Sequence, residues 1–363
     1  MRKNFDTLTG LRGILALWVA CYHLIPQFVH TVPNWVIDIA GLGYIAVDFF
    51  FVLSGFVIAM THQEQLALYP NRHNLYSFYI KRIARIYPLH LAVMLLYLVL
   101  PAAYFYTGRA LPSGGRYDVT NYFMSLMLMN NWGFSQTLSW NVPSWSISVE
   151  FASYLAFPFI TTYLNRIRKR YFPPIVIGLC CGAILVIFSQ KGATNIGEFI
   201  PLLGMWRCLF EFMLGTVIFS LYRDGLLNPL AKKNLLISMG ILLFIAVLLE
   251  LPNYSWIPLF MVLFVSYFIC LESDADVKVP RWLLWLGNIS YSVYLIHYLT
   301  KDIMKLFLQT EQAPWDWLLL YFVIVLGGSH FLYHYLELPA KRWLTTKLIT
   351  KEDNQRQKRE LSN

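Results

Sequence analysis

About ten stretches of roughly 20 mostly apolar residues, joined by short polar loops, leave this chain few folds to choose from. In a bilayer core each backbone N–H and C=O must find a partner within the protein, so every such stretch is expected to be a helix. They run Gly13–Val29, Gly41–Met60, Ile86–Tyr106, Val142–Leu164, Tyr171–Ser189, Ile200–Leu221, Leu235–Leu251, Ser255–Leu271, Leu283–Leu299 and Trp315–Leu336. Composition agrees. Only 13% of residues are charged and 57% are hydrophobic, whereas a soluble domain carries about 25% charged residues. The expected class is an all-α, polytopic integral membrane protein with about ten transmembrane helices.

Lysine and arginine set the orientation. With the N-terminus inside, most of the 29 basic residues fall in inner loops or the tail. These include Arg2 and Lys3, KRIAR at 81–85, RIRKR at 166–170, Lys232 and Lys233, and the residues after Pro339. Both termini are therefore expected in the cytoplasm, with residues 1–340 forming the membrane domain and 341–363 a basic tail. The net charge of +9 is spread over these loops, which argues against nucleic acid as a partner. The short apolar segment Val119–Met129 is expected to lie at the interface. The N-terminal apolar stretch lacks a small-residue cleavage site and reads as a retained span. Five cysteines, an odd number with no CxxC, are expected to be reduced.

Ionisable residues inside spans are costly in lipid and point to function. Arg12 and His23 share the first span, in GLRGILALWVACYHL. On a helix they lie about 16 Å apart along the axis. Asp48 and Glu150 sit near the outer ends of their spans, Arg207 and Glu211 are one turn apart, and His297 lies in the outer half of the ninth. Their similar depths suggest one shared polar cavity. Arg207 and Glu211 suit an i,i+4 ion pair. A lone buried histidine can also serve simply to bond a neighbouring helix. His330 and His334 have a spacing that could hold a metal, but no further ligand stands near them and no metal is expected. His30, His62, His73 and His90 fall at loops or interfaces and receive no role. Arg82 and Arg85, with Lys81 beside them, place guanidinium groups on one helix face. Such a pair can anchor lipid headgroups or clamp a phosphate.

With those residues set out, the chain resembles the acyltransferase-3 family of membrane acyltransferases over nearly its whole length. The resemblance rests on Arg12 to His23, on GYIAVDFFFVLSGFVI, on Arg82-x-x-Arg85, on PSWSISVEF with Ser146 and Glu150, and on SYSVYLIHY. It implies transfer of an acyl group, usually acetyl, from cytosolic acyl-CoA to a hydroxyl of a cell-envelope or lipid-linked glycan. No cofactor is bound permanently; acyl-CoA is the donor substrate. By this resemblance His23 is the catalytic residue, Arg12, Arg82 and Arg85 meet the donor, and Ser146 with Glu150 complete the site. The location implied is the bacterial inner membrane. Many relatives carry a further SGNH-type extracytoplasmic domain that is absent from this sequence, so transfer is expected within the membrane domain or with a separate extracytoplasmic partner protein.

A neutral imidazole suits the removal of a hydroxyl proton near physiological pH. Glu150 is the expected carboxylate partner of His23, with Asp48 second. Ser146, Tyr294 or a backbone N–H would meet the developing oxyanion. Direct attack on the thioester and an acyl-His23 intermediate are both open. The rival reading is a transporter or flippase using the same intramembrane charges, although no internal repeat supports it.

Overall fold

The computed structural model describes residues 5–25, 32–68, 71–166, 172–228, 231–274, 277–308 and 313–349. The basic residues Arg2 and Lys3, most of RIRKR, His30 and the tail from residue 350 lie outside the described residues. Thirteen α-helices follow in order among those described: α1 (Asp6–Leu24), α2 (Asn34–Gly41), α3 (Ala46–Leu68), α4 (Arg72–Tyr97), α5 (Val99–Tyr106), α6 (Val119–Leu126), α7 (Ser144–Arg166), α8 (Phe172–Gln190), α9 (Ile200–Arg223), α10 (Ala231–Leu248), α11 (Ile257–Asp274), α12 (Arg281–Phe307) and α13 (Trp315–Leu332). The last helix runs into a π-helical turn, Tyr333–Glu337, and continues helical through Ile349, past the boundary expected at 340. No strand occurs among the described residues.

Among the described residues, seven helical stretches are long and apolar enough to cross a membrane: Asp6–Leu24, Asn34–Leu66, Arg72–Tyr106, Phe172–Gln190, Ile200–Arg223, Ala231–Leu248 and Asp316–Ile349. Three of the expected spans fall outside this set. The apolar helix Ile257–Ser273 is short. Helices α7 and α12 carry serines, a glutamate and a histidine on faces turned into the protein, where Ser144, Ser148, Ser292 and His297 are fully buried. A helix lined by other helices can afford polar groups that a lipid-facing one cannot. By contrast α10 and α13 expose Phe244, Val247, Leu319 and Val323, as lipid-facing surfaces do. Val119–Met129 forms only the short helix α6.

Two close crossings build the centre. A Cβ added at Gly215 of α9 would stand 1.9 Å from the carbonyl oxygen of Val52, and one at Gly55 of α3 would stand 2.0 Å from that of Phe212. The backbones of α3 and α9 touch there, as small residues permit between helices in lipid. The same device joins α1 to α12, where a Cβ at Gly287 would meet the Thr9 carbonyl at 2.0 Å. Helix α1 is held further at its start. Glu272 of α11 accepts from the Asp6 amide at 2.5 Å and from the Thr7 hydroxyl at 2.6 Å, meeting donors that a helix N-terminus leaves free. All five cysteines are free thiols.

Alanine at Gly215 must therefore push two helices apart. We expect Gly215→Ala to destabilise by about 1–3 kcal/mol. Gly240→Ala, where nothing lies within 4 Å of the added Cβ, should leave the thermal midpoint of the detergent-solubilised protein unchanged.

Candidate active site

One cavity of about 170 Å³ opens among α1, α3, α4, α7 and α12. Arg12 enters it from α1, Arg82 and Arg85 from α4, Ser146, Glu150 and Tyr154 from α7, and Ser290, Tyr291 and Tyr294 from α12. Phe50, Phe51 and Val57 of α3 make an apolar wall. Helical spacing explains the α7 contribution, since residues four apart stack on one face. Among the described residues the wall thus holds three guanidinium groups and a single carboxylate.

Hydrogen bonds fix these groups. The Tyr154 hydroxyl donates to Glu150 Oε1 at 2.6 Å. Arg12 Nη2 donates to Ser290 Oγ at 3.3 Å, and Ser290 in turn donates to the Gly287 carbonyl at 2.7 Å. The Ser146 and Tyr294 hydroxyls lie 2.7 Å apart. The Arg82 guanidinium lies 5.9 Å from the Tyr154 ring centroid and makes no ion pair among the described residues. Arg85 is paired with Glu337.

His23 does not line this cavity. Half-buried, its ring stacks on His297 at 5.2 Å and meets Tyr298 edge-on at 4.9 Å. The His297 ring is 5.8 Å from that of Tyr294, which does line the cavity. His23 therefore stands beyond an aromatic layer of Tyr294 and His297. No hydrogen bond or ion pair joins it to Glu150 or Asp48 among the described residues; Glu150 is engaged by Tyr154 instead.

The expectation of one chamber for all the intramembrane charges needs correcting. Asp48 forms a bidentate pair with Arg207, at 2.6 Å to Nε and 2.7 Å to Nη2, in full burial. Arg207 also donates to the Tyr44 carbonyl at 3.2 Å and lies over the Trp145 ring. The i,i+4 pairing of Arg207 with Glu211 is thus replaced by a pairing between α3 and α9. The reason is reach: a planar fork meets a carboxylate on the facing helix in bidentate fashion, which a neighbour on its own helix rarely allows. Glu211 is fully buried beside this pair. His90, expected near an interface, is buried in α4, and its Nε2 lies 2.7 Å from the Ser125 carbonyl of α6. His330 and His334 stand 4.4 Å apart by ring centroid, but Trp285 donates to His330 Nδ1 at 3.0 Å. No set of three potential metal ligands occurs among the described residues.

Sequence reasoning missed Tyr154, Ser290, Tyr291 and Glu337. Tyr154 could have been found, because it continues the four-residue spacing of Ser146 and Glu150. A second polar group lies where the segment after α5 meets α12. There Arg116 is paired with Asp302, and Lys301 lies 3.4 Å from the Tyr298 ring centroid.

The model of a family described as the acyltransferase domain (Acyl_transf_3) matches residues 5–334. The chain belongs to that family and is a multi-pass membrane acyltransferase. It is 31% identical to "Acyltransferase MdmB" of Streptomyces mycarofaciens, over 82% of this chain and 79% of that protein. It is 27% identical to "Putative peptidoglycan O-acetyltransferase YrhL" of Bacillus subtilis, over 95% of this chain but only 58% of the relative. No solved structure matches. The family does not favour the transporter reading.

Breaking the Asp48–Arg207 pair leaves a buried guanidinium without the carboxylate that meets it in bidentate fashion. Asp48→Asn should therefore cost about 3–5 kcal/mol, seen as lost folded protein on heating. The double variant Asp48→Leu with Arg207→Leu should recover much of it.

Proposed function

We propose that this protein transfers an acyl group, acetyl in the first instance, from cytosolic acyl-CoA to a hydroxyl of an extracytoplasmic or lipid-linked carbohydrate. The observation that carries the reading is the convergence of Arg12, Arg82 and Arg85 on one cavity whose wall has a single carboxylate. That excess of positive charge suits a donor rich in phosphate. The apolar wall of Phe50, Phe51 and Val57 suits the pantetheine arm and its acyl end.

In this reading the thioester reaches Ser146 and Tyr294, and the acceptor approaches from the His23 side. His23 takes the hydroxyl proton as the oxygen attacks the thioester carbon. The new C–O bond forms, the C–S bond breaks, and the coenzyme leaves as the thiol after gaining a proton. The paired Ser146 and Tyr294 hydroxyls are the donors for the transient oxyanion. Glu150, held by Tyr154, balances the arginines and orients the arm. Asp48 serves through Arg207, holding the helices that frame the site. The variant in which His23 itself carries the acyl group uses the same residues.

The topology that goes with this function has about ten spans and cytoplasmic termini in a bacterial inner membrane. Here α7, α11 and α12 cross the bilayer as inner helices sheltered by the others. The cavity's arginine end then faces the cytosol, and residues 1–340 form the catalytic domain, with 341–363 as a basic tail. Transfer to the acceptor is completed within this membrane domain or with a separate extracytoplasmic partner protein.

His23→Ala should lower transfer by roughly 100- to 10,000-fold, the usual worth of a general base, with acetyl-CoA binding unchanged. Arg82→Ala should weaken acetyl-CoA binding by about tenfold or more, as loss of a charge-assisted hydrogen bond does. Isotope-labelled acetyl-CoA and envelope glycans, with binding measured by titration, separate the two. Glycan flux in vesicles without any acetyl transfer would instead restore the flippase.

A further inference from the structure

We infer that Glu337 is a positioning residue that sets the guanidinium of Arg85 for the donor's phosphates; this rests on the donor-site reading above. Glu337 is 2% exposed and is absent from the cavity wall, whereas Arg85 lines it. Its two carboxylate oxygens have separate duties. Oε1 accepts from Arg85 Nη1, and Oε2 accepts from the Ser292 hydroxyl of α12 at 2.9 Å. The carboxylate is therefore held by α12 through Ser292 independently of the arginine.

A third contact closes the frame. The Tyr291 ring lies 5.2 Å from the Arg85 guanidinium carbon, and the Tyr291 hydroxyl donates to the Ile86 carbonyl of α4 at 2.6 Å. A guanidinium offers five N–H donors in a rigid fork. Holding one nitrogen from behind leaves others free to face a ligand and removes the freedom of a long side chain beforehand. Arg82 differs, because no carboxylate pairs with it among the described residues and its Nε is buried without a hydrogen-bond partner.

The π-helical turn Tyr333–Glu337 ends on Glu337, which is buried, whereas Tyr335 within the turn is 71% exposed. It also begins at the edge of the family match, which ends at residue 334, so nothing in that match assigns Glu337 a role.

The test is a binding cycle with acetyl-CoA and with acetyl-pantetheine, which lacks the nucleotide phosphates. We expect Glu337→Gln to weaken acetyl-CoA about tenfold and to leave acetyl-pantetheine within twofold. In an Arg85→Ala background, Glu337→Gln should add no further loss. An equal loss for both ligands, or an equal loss with and without Arg85, makes Glu337 merely structural and overturns the inference. Tighter acetyl-CoA binding by Glu337→Gln overturns it too, since the carboxylate would then compete with phosphate. If Arg85→Ala itself binds acetyl-CoA normally, the donor-site reading fails first and takes this one with it. Should Glu337→Gln not fold, Ser292→Ala decides: a smaller loss confined to acetyl-CoA supports the inference, and none refutes it.

Discussion

A charge carried into hydrocarbon must meet its opposite, and in this protein that requirement ties together helices far apart in the sequence. The Asp48–Arg207 pair is the central case. Its members are separated by 159 positions and have nearly no exposure. The α3–α9 crossing that holds them is tight because Gly55 and Gly215 let the backbones touch. Coulombic pairing and small-residue contact reinforce each other there, since a short interhelical distance is what brings the fork onto the carboxylate. The same rule joins Arg85 to Glu337 and Arg116 to Asp302.

The cavity is where this rule is relaxed. Among the described residues Arg12 has only the Ser290 hydroxyl as its hydrogen-bond partner, and Arg82 lies over a tyrosine ring. A site that bound these arginines as fully as Arg207 is bound would have little left for an anion. Incomplete pairing, bordered by a fully paired scaffold, is how a membrane protein can keep cationic groups ready for a ligand. Our functional proposal and the role we assign to Glu337 both start from that contrast.

The aromatic layer adds a second division. His23 and His297 stack on one side of Tyr294, and the cavity lies on the other. The depth of His23 on its helix follows from a rise of about 1.5 Å per residue. Which neighbours its ring meets depends on how α1 lies against α12, and the Gly287–Thr9 contact sets that. Helical depth alone therefore grouped His23, Asp48, Glu150, Arg207, Glu211 and His297, which the structure divides among a cavity wall, a ring stack and a buried ion pair with Glu211 beside it.

By itself the sequence determined the all-helical membrane class, because hydrophobic runs and charge deficits are local properties that a bilayer reads directly. It also marked Arg12, Arg82, Arg85 and Glu150, as charges within or beside a span, and Ser146, through the resemblance of its motif; these share one cavity. Only the tertiary structure decided that Arg207 pairs with Asp48 and not Glu211, that Tyr154 holds Glu150, and that Glu337 stands behind Arg85. Those choices depend on helix rotation and crossing distance. Close crossings where a Cβ is missing help to set them, and no periodicity along the chain records which faces will finally meet.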